Sequence, residues 1–226
     1  MTSDRDPSPG PTDVGTPRDA PRWRADRGPD PSVPVAVIEQ DPVPVGVAAR
    51  EVAGCVVNTA RLLARGRVRR RPEHVGMRLR FADGTSAVVY RETVIESAPV
   101  RDPCMLLVAF RLRLVRGAGH VLFRAESLLN TPLFAGFPGL VSKLWVAHDQ
   151  GGVYRGLYEW DGPERAEHYA RSLWWLLRPV CVPGSIHYVV LPGLRRDRLL
   201  ADPHLLDRVV PRPAGGLVLT ALGDPR

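Results

Sequence analysis

A set of charged, imidazole and indole side chains falls on predicted strands in the second half of the chain. Its members are Arg111, Lys143, Trp145, Arg155, Glu159 and His187. Because neighbouring side chains on a strand point to opposite faces, we place this set on one surface of a sheet and the mainly apolar residues on the other. An apolar lining with a few convergent polar groups is what a small-molecule pocket requires, so we predict a pocket on this surface.

Four of these residues are candidates for catalysis. His187 is the candidate general base, since an imidazole titrates near neutral pH. Lys143 and Arg155 are suited to stabilise an enolate or peroxide-like anion in a cavity of low dielectric constant. Glu159 is suited to orient either cation or to move a proton.

Four further residues are candidates for substrate binding. Trp145 is suited to stack on an aromatic or polyene substrate. Arg111 and Leu157 share the predicted pocket surface, and Asn130 lies near the end of a predicted helix.

Structural roles for the same residues stay open. Arg155 and Glu159 are equally consistent with a cross-strand ion-pair network at a dimer interface. His187 is consistent with a half-buried histidine whose ring bonds a neighbour, and Asn130 with a helix cap. Lys143 is the only lysine among 31 basic residues, and chance retention of one lysine codon is the alternative to a specific role.

Composition and motif searches exclude several protein classes. With 226 residues, of which 44% are hydrophobic and 24% charged, the chain is typical of a globular protein of one domain with appendages. It has no long apolar run and no signal-peptide pattern, so we expect a cytoplasmic protein without membrane contact. Three scattered cysteines, six dispersed histidines and no nucleotide-binding motif predict neither a metal site nor a cofactor.

The net charge of +7 gives only a weak argument for a nucleic-acid partner. Its clearest local source is the arginine cluster between Arg61 and Arg71. The cluster contains no interleaved aromatic residues and belongs to no recognition motif, which favours a solvated helix end and loop over a phosphate-binding surface.

The chain divides into four predicted segments. They are a disordered, proline-rich leader (1–44), an accessory helix and β-hairpin (45–102), a ferredoxin-like domain (103–192) and a C-terminal tail (193–226). The leader holds 10 of the 23 prolines and almost no large apolar residues before Asp30. Helical spacing of apolar residues predicts a helix from Val45 to Arg65, stopped by Gly66, and Asp83-Gly84 predicts a hairpin turn.

The third segment alternates strands and helices in the order β-α-β-β-α-β, which is the ferredoxin-like order and gives an α+β fold class. The predicted strands cover 104–114, 140–147, 153–160 and 186–191, and the predicted helices cover 120–129 and 163–178. We expect Asp161 to cap the second helix, with Pro163 in its first turn. A short helix with Asp202 as its cap is possible in the tail, running no further than Val210.

Part of this segment resembles the YdhR-type monooxygenase family. The resemblance rests on Gly136-Phe-Pro-Gly-Leu-Val-Ser-Lys-Leu-Trp145, on Tyr154-Arg-Gly-Leu-Tyr-Glu-Trp160, and on a following helix with Ala166, Tyr169 and Ala170. It covers about residues 103–192. It implies a dimeric α/β barrel whose lumen is lined by the surface of the candidate residues, and therefore a homodimer. Some relatives bind haem through a histidine, but nothing in this sequence selects one.

The resemblance implies an enzyme of specialised metabolism, such as antibiotic biosynthesis, that oxygenates a hydrophobic, polyketide-like substrate without a cofactor. A cyclase or isomerase with the same pocket would need the same residues without oxygen. A non-catalytic ligand-binding or dimerisation module is the third hypothesis, because fold does not fix function.

Overall fold

The computed structural model describes residues 37–38, 42–96, 99–113, 115, 131–208 and 219–223. The helices in this part are α1 (Val45–Ala64), α2 (Pro163–Leu177) and α3 (Arg196–Ala201). The strands are β1 (Val37–Ile38), β2 (Val68–Arg70), β3 (Arg78–Phe81), β4 (Ser86–Ile95), β5 (Pro103–Arg111), β6 (Leu140–Val146), β7 (Val153–Asp161), β8 (His187–Pro192) and β9 (Leu219–Gly223). Two 3-10 helices cover Thr131–Leu133 and Pro203–Arg208.

The strands form one sheet in the order β1-β8-β5-β7-β6-β4-β3-β9, and β2 also pairs with β4. Every strand pair among the described residues is antiparallel. The architecture is therefore mixed α+β, as the predicted fold class requires at this level. No helix in the described part of the chain combines the length and apolarity needed to cross a bilayer.

Helix α1 and the first hairpin follow their local sequence signals. The helix ends one residue before its predicted end, and Gly66 follows with a φ of 63°, where a side chain would be strained. Strands β3 and β4 pair around Asp83 and Gly84, and Gly84 has a φ of 80°. Strand β4 then continues to Ile95 and pairs with β6, so the predicted accessory hairpin is part of the main sheet.

Neither of the two expected helix caps, Asp161 and Asp202, begins an α-helix. Strand β7 continues to Asp161, whose carboxylate accepts hydrogen bonds from the backbone N–H groups of Arg101 and Asp102 at 2.8 Å each. Gly162 therefore occupies the cap position of α2. In the tail, α3 forms without having been predicted, and a 3-10 helix replaces the helix expected after Asp202.

Several predictions fall on residues without a described structure. The helix over 120–129, Asn130 and most of the leader lie outside the described residues. Within the leader, β1 pairs with β8, which the sequence analysis did not predict.

Each face of the sheet carries its own apolar core. One face, called here the helix face, packs against α1 and α2 and includes Leu106, Tyr158 and Trp160. The other, called the tail face, packs against the β3–β4 hairpin and the segment 194–206. Both faces are covered by the chain itself, so the sheet does not present one helix-covered and one open surface.

Candidate functional site

The strand register separates the residues that were expected to share one surface. Lys143 lies opposite Tyr158, and Trp145 lies opposite Gly156, which places both side chains on the helix face. The remaining predicted residues with a described structure belong to the tail face: Arg111, Arg155, Leu157, Glu159 and His187. The prediction of one shared surface is therefore wrong.

The physical reason for this error is the β6–β7 pairing. Directly opposed residues on antiparallel strands point to the same face, so Leu144 and Leu157 define the tail face and fix their neighbours on the other. Polar character was taken as the mark of one surface, but the register distributes these groups over both.

The helix face contains a cavity of about 510 Å³. It lies between β5, β6 and β7 on one side and the C-terminal half of α2 on the other. Its lining is mainly apolar and aromatic and includes Phe110, Phe134, Lys143, Trp145, Tyr158 and Leu173. A volume of this size accommodates a drug-sized ligand.

Lys143 brings its amine to this cavity through a cage of aromatic rings. Its Nζ lies 3.3 Å from the ring centroid of Trp145, 4.4 Å from that of Phe134 and 4.5 Å from that of Tyr158. The residue is buried. Among the described residues, no carboxylate forms an ion pair with Nζ and no acceptor forms a hydrogen bond with it.

These surroundings disfavour the charged form of the lysine. Burial lowers the pKa of Lys143 well below its usual range, and the positive charge of Arg91 lowers it further. The Arg91 guanidinium lies 4.9 Å from the ring centroid of Trp145 and donates a 2.6 Å hydrogen bond to Oγ1 of Thr131. Lys143 therefore offers a neutral amine at a lower pH than an exposed lysine does.

Two tyrosines of the cavity lining bring their phenol groups together. The hydroxyl oxygens of Tyr158 and Tyr169 lie 3.5 Å apart. Burial raises the pKa of both phenols, so both stay protonated and can donate a hydrogen bond. The Tyr158 ring packs against Gly156 at a distance that excludes a side chain, since a Cβ at position 156 would lie 2.6 Å from Cε2 of Tyr158.

Trp145 lines the cavity in a fixed orientation. Its Nε1 donates a 3.2 Å hydrogen bond to Oγ1 of Thr93, and the Phe134 ring meets it edge-on at 5.0 Å between centroids. Nζ of Lys143 lies over the indole ring and so occupies the ring face on which a flat ligand would stack.

Arg155 belongs to the cavity lining, but its guanidinium is held in ion pairs on the tail face. Its guanidinium forms ion pairs with Asp149 at 2.7 Å and with Asp83 at 3.2 Å, and it packs on Phe81 at 3.9 Å. Burial alone would raise the pKa of Asp149, but hydrogen bonds from the Val153 N–H and from Arg155 outweigh it and lower that pKa. The ion pairs join the β3–β4 turn to the β6–β7 turn, so the guanidinium does not face the amine of Lys143.

Glu159 belongs to a buried polar network that the sequence analysis missed. Oγ of Ser142 donates to Glu159 at 3.4 Å and accepts from Arg196 at 3.2 Å. Arg196 also pairs with Glu92 at 2.9 Å, and Nδ1 of His74 lies 3.0 Å from the second Glu92 oxygen. The network connects α3 to β4, β6 and β7.

Part of this network could bind a cation. Glu73, His74 and Glu92 bring their ligand atoms within 4.8 Å of one another. Arg196 already supplies positive charge to the Glu92 carboxylate, so the arrangement favours an ion-pair network over a metal site.

The other predicted residues with a described structure do not line the cavity. His187 and Arg111 are exposed, and Leu157 is buried in the tail-face core. Asn130 lies outside the described residues. His187 and Lys143 therefore do not line a common cavity.

Four residues around the lysine and its cavity were not predicted from the sequence: Arg91, Phe134, Tyr158 and Tyr169. Tyr158 alternates with Gly156 and Trp160 on β7, and that aromatic pattern could have identified the helix face as the ring-lined one. Arg91 gave no such signal, because it reaches the site only through the β4–β6 pairing.

Comparison of the chain with protein-family models, with curated proteins and with solved structures found no match.

Proposed function

We propose that this protein is an enzyme acting on a hydrophobic small molecule in the helix-face cavity, with Lys143 as its base. The observation that carries this proposal is a buried amine, without an ion-pair partner among the described residues, that opens on a cavity of about 510 Å³. This replaces His187 by Lys143 as the general base, because Lys143 lines the cavity and His187 does not.

The aromatic cage suits the proton transfer. A neutral amine removes a proton from an acidic C–H or O–H group of the substrate and becomes an ammonium ion. Each ring face that meets this ammonium stabilises it by about 0.5–2 kcal/mol, which offsets part of the cost that burial and Arg91 impose on the charged form. The substrate anion then has the ammonium as its counter-ion, in a site from which much of the water is excluded.

The family resemblance favours oxygenation as the next step. The carbanion left by removal of a methylene proton transfers electrons to molecular oxygen and forms a C–O bond, which gives a peroxide anion. The second methylene proton of this peroxide passes to the departing oxygen as the O–O bond breaks, which yields a ketone and a hydroxide ion. The Lys143 ammonium protonates the hydroxide to water. One methylene group and one molecule of oxygen thus become one ketone and one water molecule, and no cofactor is required.

The sheet order supports the finer fold assignment behind this resemblance. The four strands of the predicted domain lie in the order β8-β5-β7-β6, and α2 connects β7 to β8. An antiparallel 4-1-3-2 order with such a crossover is what a ferredoxin-like unit requires. The resemblance also predicts a homodimer, which light scattering on the purified chain would test.

A cyclase or isomerase is the second candidate, because proton abstraction by Lys143 is useful with or without oxygen. The test is turnover of an anthrone-type aromatic polyketide, which has an acidic methylene group, under air and under argon. Air-dependent turnover that is lost in Lys143→Met supports the oxygenase, and equal turnover under both gases supports the cyclase or isomerase.

The same assay can reject the proposal. Turnover that is lost in His187→Ala but retained in Lys143→Met would overturn the assignment of the site. Saturable binding without turnover would indicate a ligand-binding module instead of an enzyme.

A further inference from the structure

We infer that Lys143 captures hydrophobic aldehydes or ketones covalently, as an imine, in the helix-face cavity. The inference rests on the proposed function in using the same cavity, but it names a substrate class, carbonyl compounds, and a nucleophilic step that proton abstraction does not need.

The position of the amine carries the argument. Attack on a carbonyl requires a nitrogen lone pair that neither a proton nor a strong hydrogen bond occupies. Nζ of Lys143 touches ring faces on three sides, and within the described residues no acceptor or carboxylate holds it. A desolvated lysine near a second cation, here Arg91, is the setting in which lysine acts as a nucleophile at neutral pH.

The cavity supplies the other requirements of the reaction. Nζ attacks the carbonyl carbon and forms a C–N bond, and the oxygen takes up a proton to give a carbinolamine. The carbinolamine then loses its hydroxyl group and the remaining amine proton as one water molecule, which leaves a C=N bond between substrate and lysine. The Tyr158 phenol lies in the same cavity and can donate a proton to the departing hydroxyl group. The apolar lining selects a hydrophobic substituent.

The composition of the chain makes the adduct easy to identify. Lys143 is the only lysine, and the other 30 of the 31 basic residues are arginine. Aldehyde and reductant therefore have two primary amines to modify, Lys143 and the chain's α-amino group.

The experiment treats the full-length protein with cinnamaldehyde and cyanoborohydride at neutral pH and maps adducts by mass spectrometry. We expect Lys143 to be modified faster than free Nα-acetyl-lysine, by up to roughly tenfold for each pH unit by which its pKa is lowered, until that pKa reaches the pH of the assay. The α-amino group is the internal control for reagent quality. Lys143→Arg should lose the adduct while keeping a basic side chain, and circular dichroism reports its folding.

Two comparisons make the result decisive. Glyoxylate, a small anionic aldehyde, should modify Lys143 much less than cinnamaldehyde if the cavity selects the substrate. An unmodified Lys143, or one that reacts no faster than the free amino acid, overturns the inference.

Cinnamyl alcohol, which has no carbonyl group, separates this failure from a failure of the proposed function. Its binding is followed by quenching of the tryptophan emission that Trp145→Phe removes. Binding of the alcohol without an aldehyde adduct rejects the imine alone, whereas absence of both rejects the cavity as a ligand site.

Discussion

Replacing Lys143 by methionine should stabilise the folded protein at neutral pH. Methionine fills a similar volume with a flexible apolar side chain, and it removes an amine whose burial the fold must otherwise tolerate. The unfolded chain holds its lysine proton up to a pKa of about 10.4, whereas burial lowers the pKa of Lys143 in the folded chain. At a pH between these two pKa values, folding therefore releases the proton of Lys143.

The size of the effect depends on pH in a defined way. In that interval the unfolded state binds one more proton, so the free energy of unfolding of the wild type rises by about 1.4 kcal/mol per pH unit. Below the pKa of Lys143 in the folded protein, the extra stability of Lys143→Met does not depend on pH. Above it, this extra stability falls by about 1.4 kcal/mol per pH unit as the pH rises towards about 10.4. At about 2–4 °C per kcal/mol, the two melting temperatures should converge by roughly 3–6 °C per pH unit.

The measurement is thermal and urea unfolding of both proteins from about pH 7 to about pH 10, the range that approaches the pKa of an ordinary lysine. All other titrating groups are common to both chains, so the difference isolates Lys143. Lys143→Arg is the matched control, because its cation does not deprotonate in this range and should give a destabilised protein at every pH. If the difference in stability between wild type and Lys143→Met stayed constant over this pH range, the inference that Lys143 is buried and easily deprotonated would be refuted.

Three further predictions concern two buried ion pairs of the tail face and the packing of Tyr158 beside the cavity. Arg155→Met leaves the fully buried Asp149 carboxylate without its ion pair and should cost about 3–5 kcal/mol in urea unfolding, while an unchanged midpoint would show that the pair is dispensable. Glu92→Gln keeps the side-chain volume but removes the charge that pairs with Arg196, and should lower the free energy of unfolding by about 1.5–3 kcal/mol. Glu96→Gln removes a charge from an exposed ion pair and is the control, with an expected loss below about 1 kcal/mol. Gly156→Ala should push the Tyr158 ring into the cavity and weaken cinnamyl alcohol binding by about tenfold in a fluorescence titration, with equal binding arguing that the ring relaxes elsewhere.

Local signals in the sequence predicted the helices and turns better than the arrangement of these elements in space. The helix from Val45 and the turn at Asp83-Gly84 depend on residues close in sequence, and both formed as predicted. Helix α3 was not predicted, because three of its six residues are charged and it is too short to show a helical pattern. Packing of Leu199 and Leu200 on the tail face stabilises it.

The site depended on information that the sequence does not carry locally. Lys143 and Trp145 were correctly grouped with each other, since they are two residues apart on one strand. Their relation to Arg155 depends on the β6–β7 register, and a shift by one residue would have reversed it. Arg91 is brought to the site by pairing between strands about 50 residues apart, which no local pattern encodes.

The cavity on the helix face is complete within one chain, as far as its described lining goes. The base, the aromatic cage and the apolar wall come from β4 to β7, α2 and the segment between β5 and β6 of the same chain. Ligand should therefore bind with a stoichiometry of one per chain, whether or not two copies associate. In mixtures of wild-type and Lys143→Met chains, activity should follow the wild-type fraction linearly, without complementation between subunits.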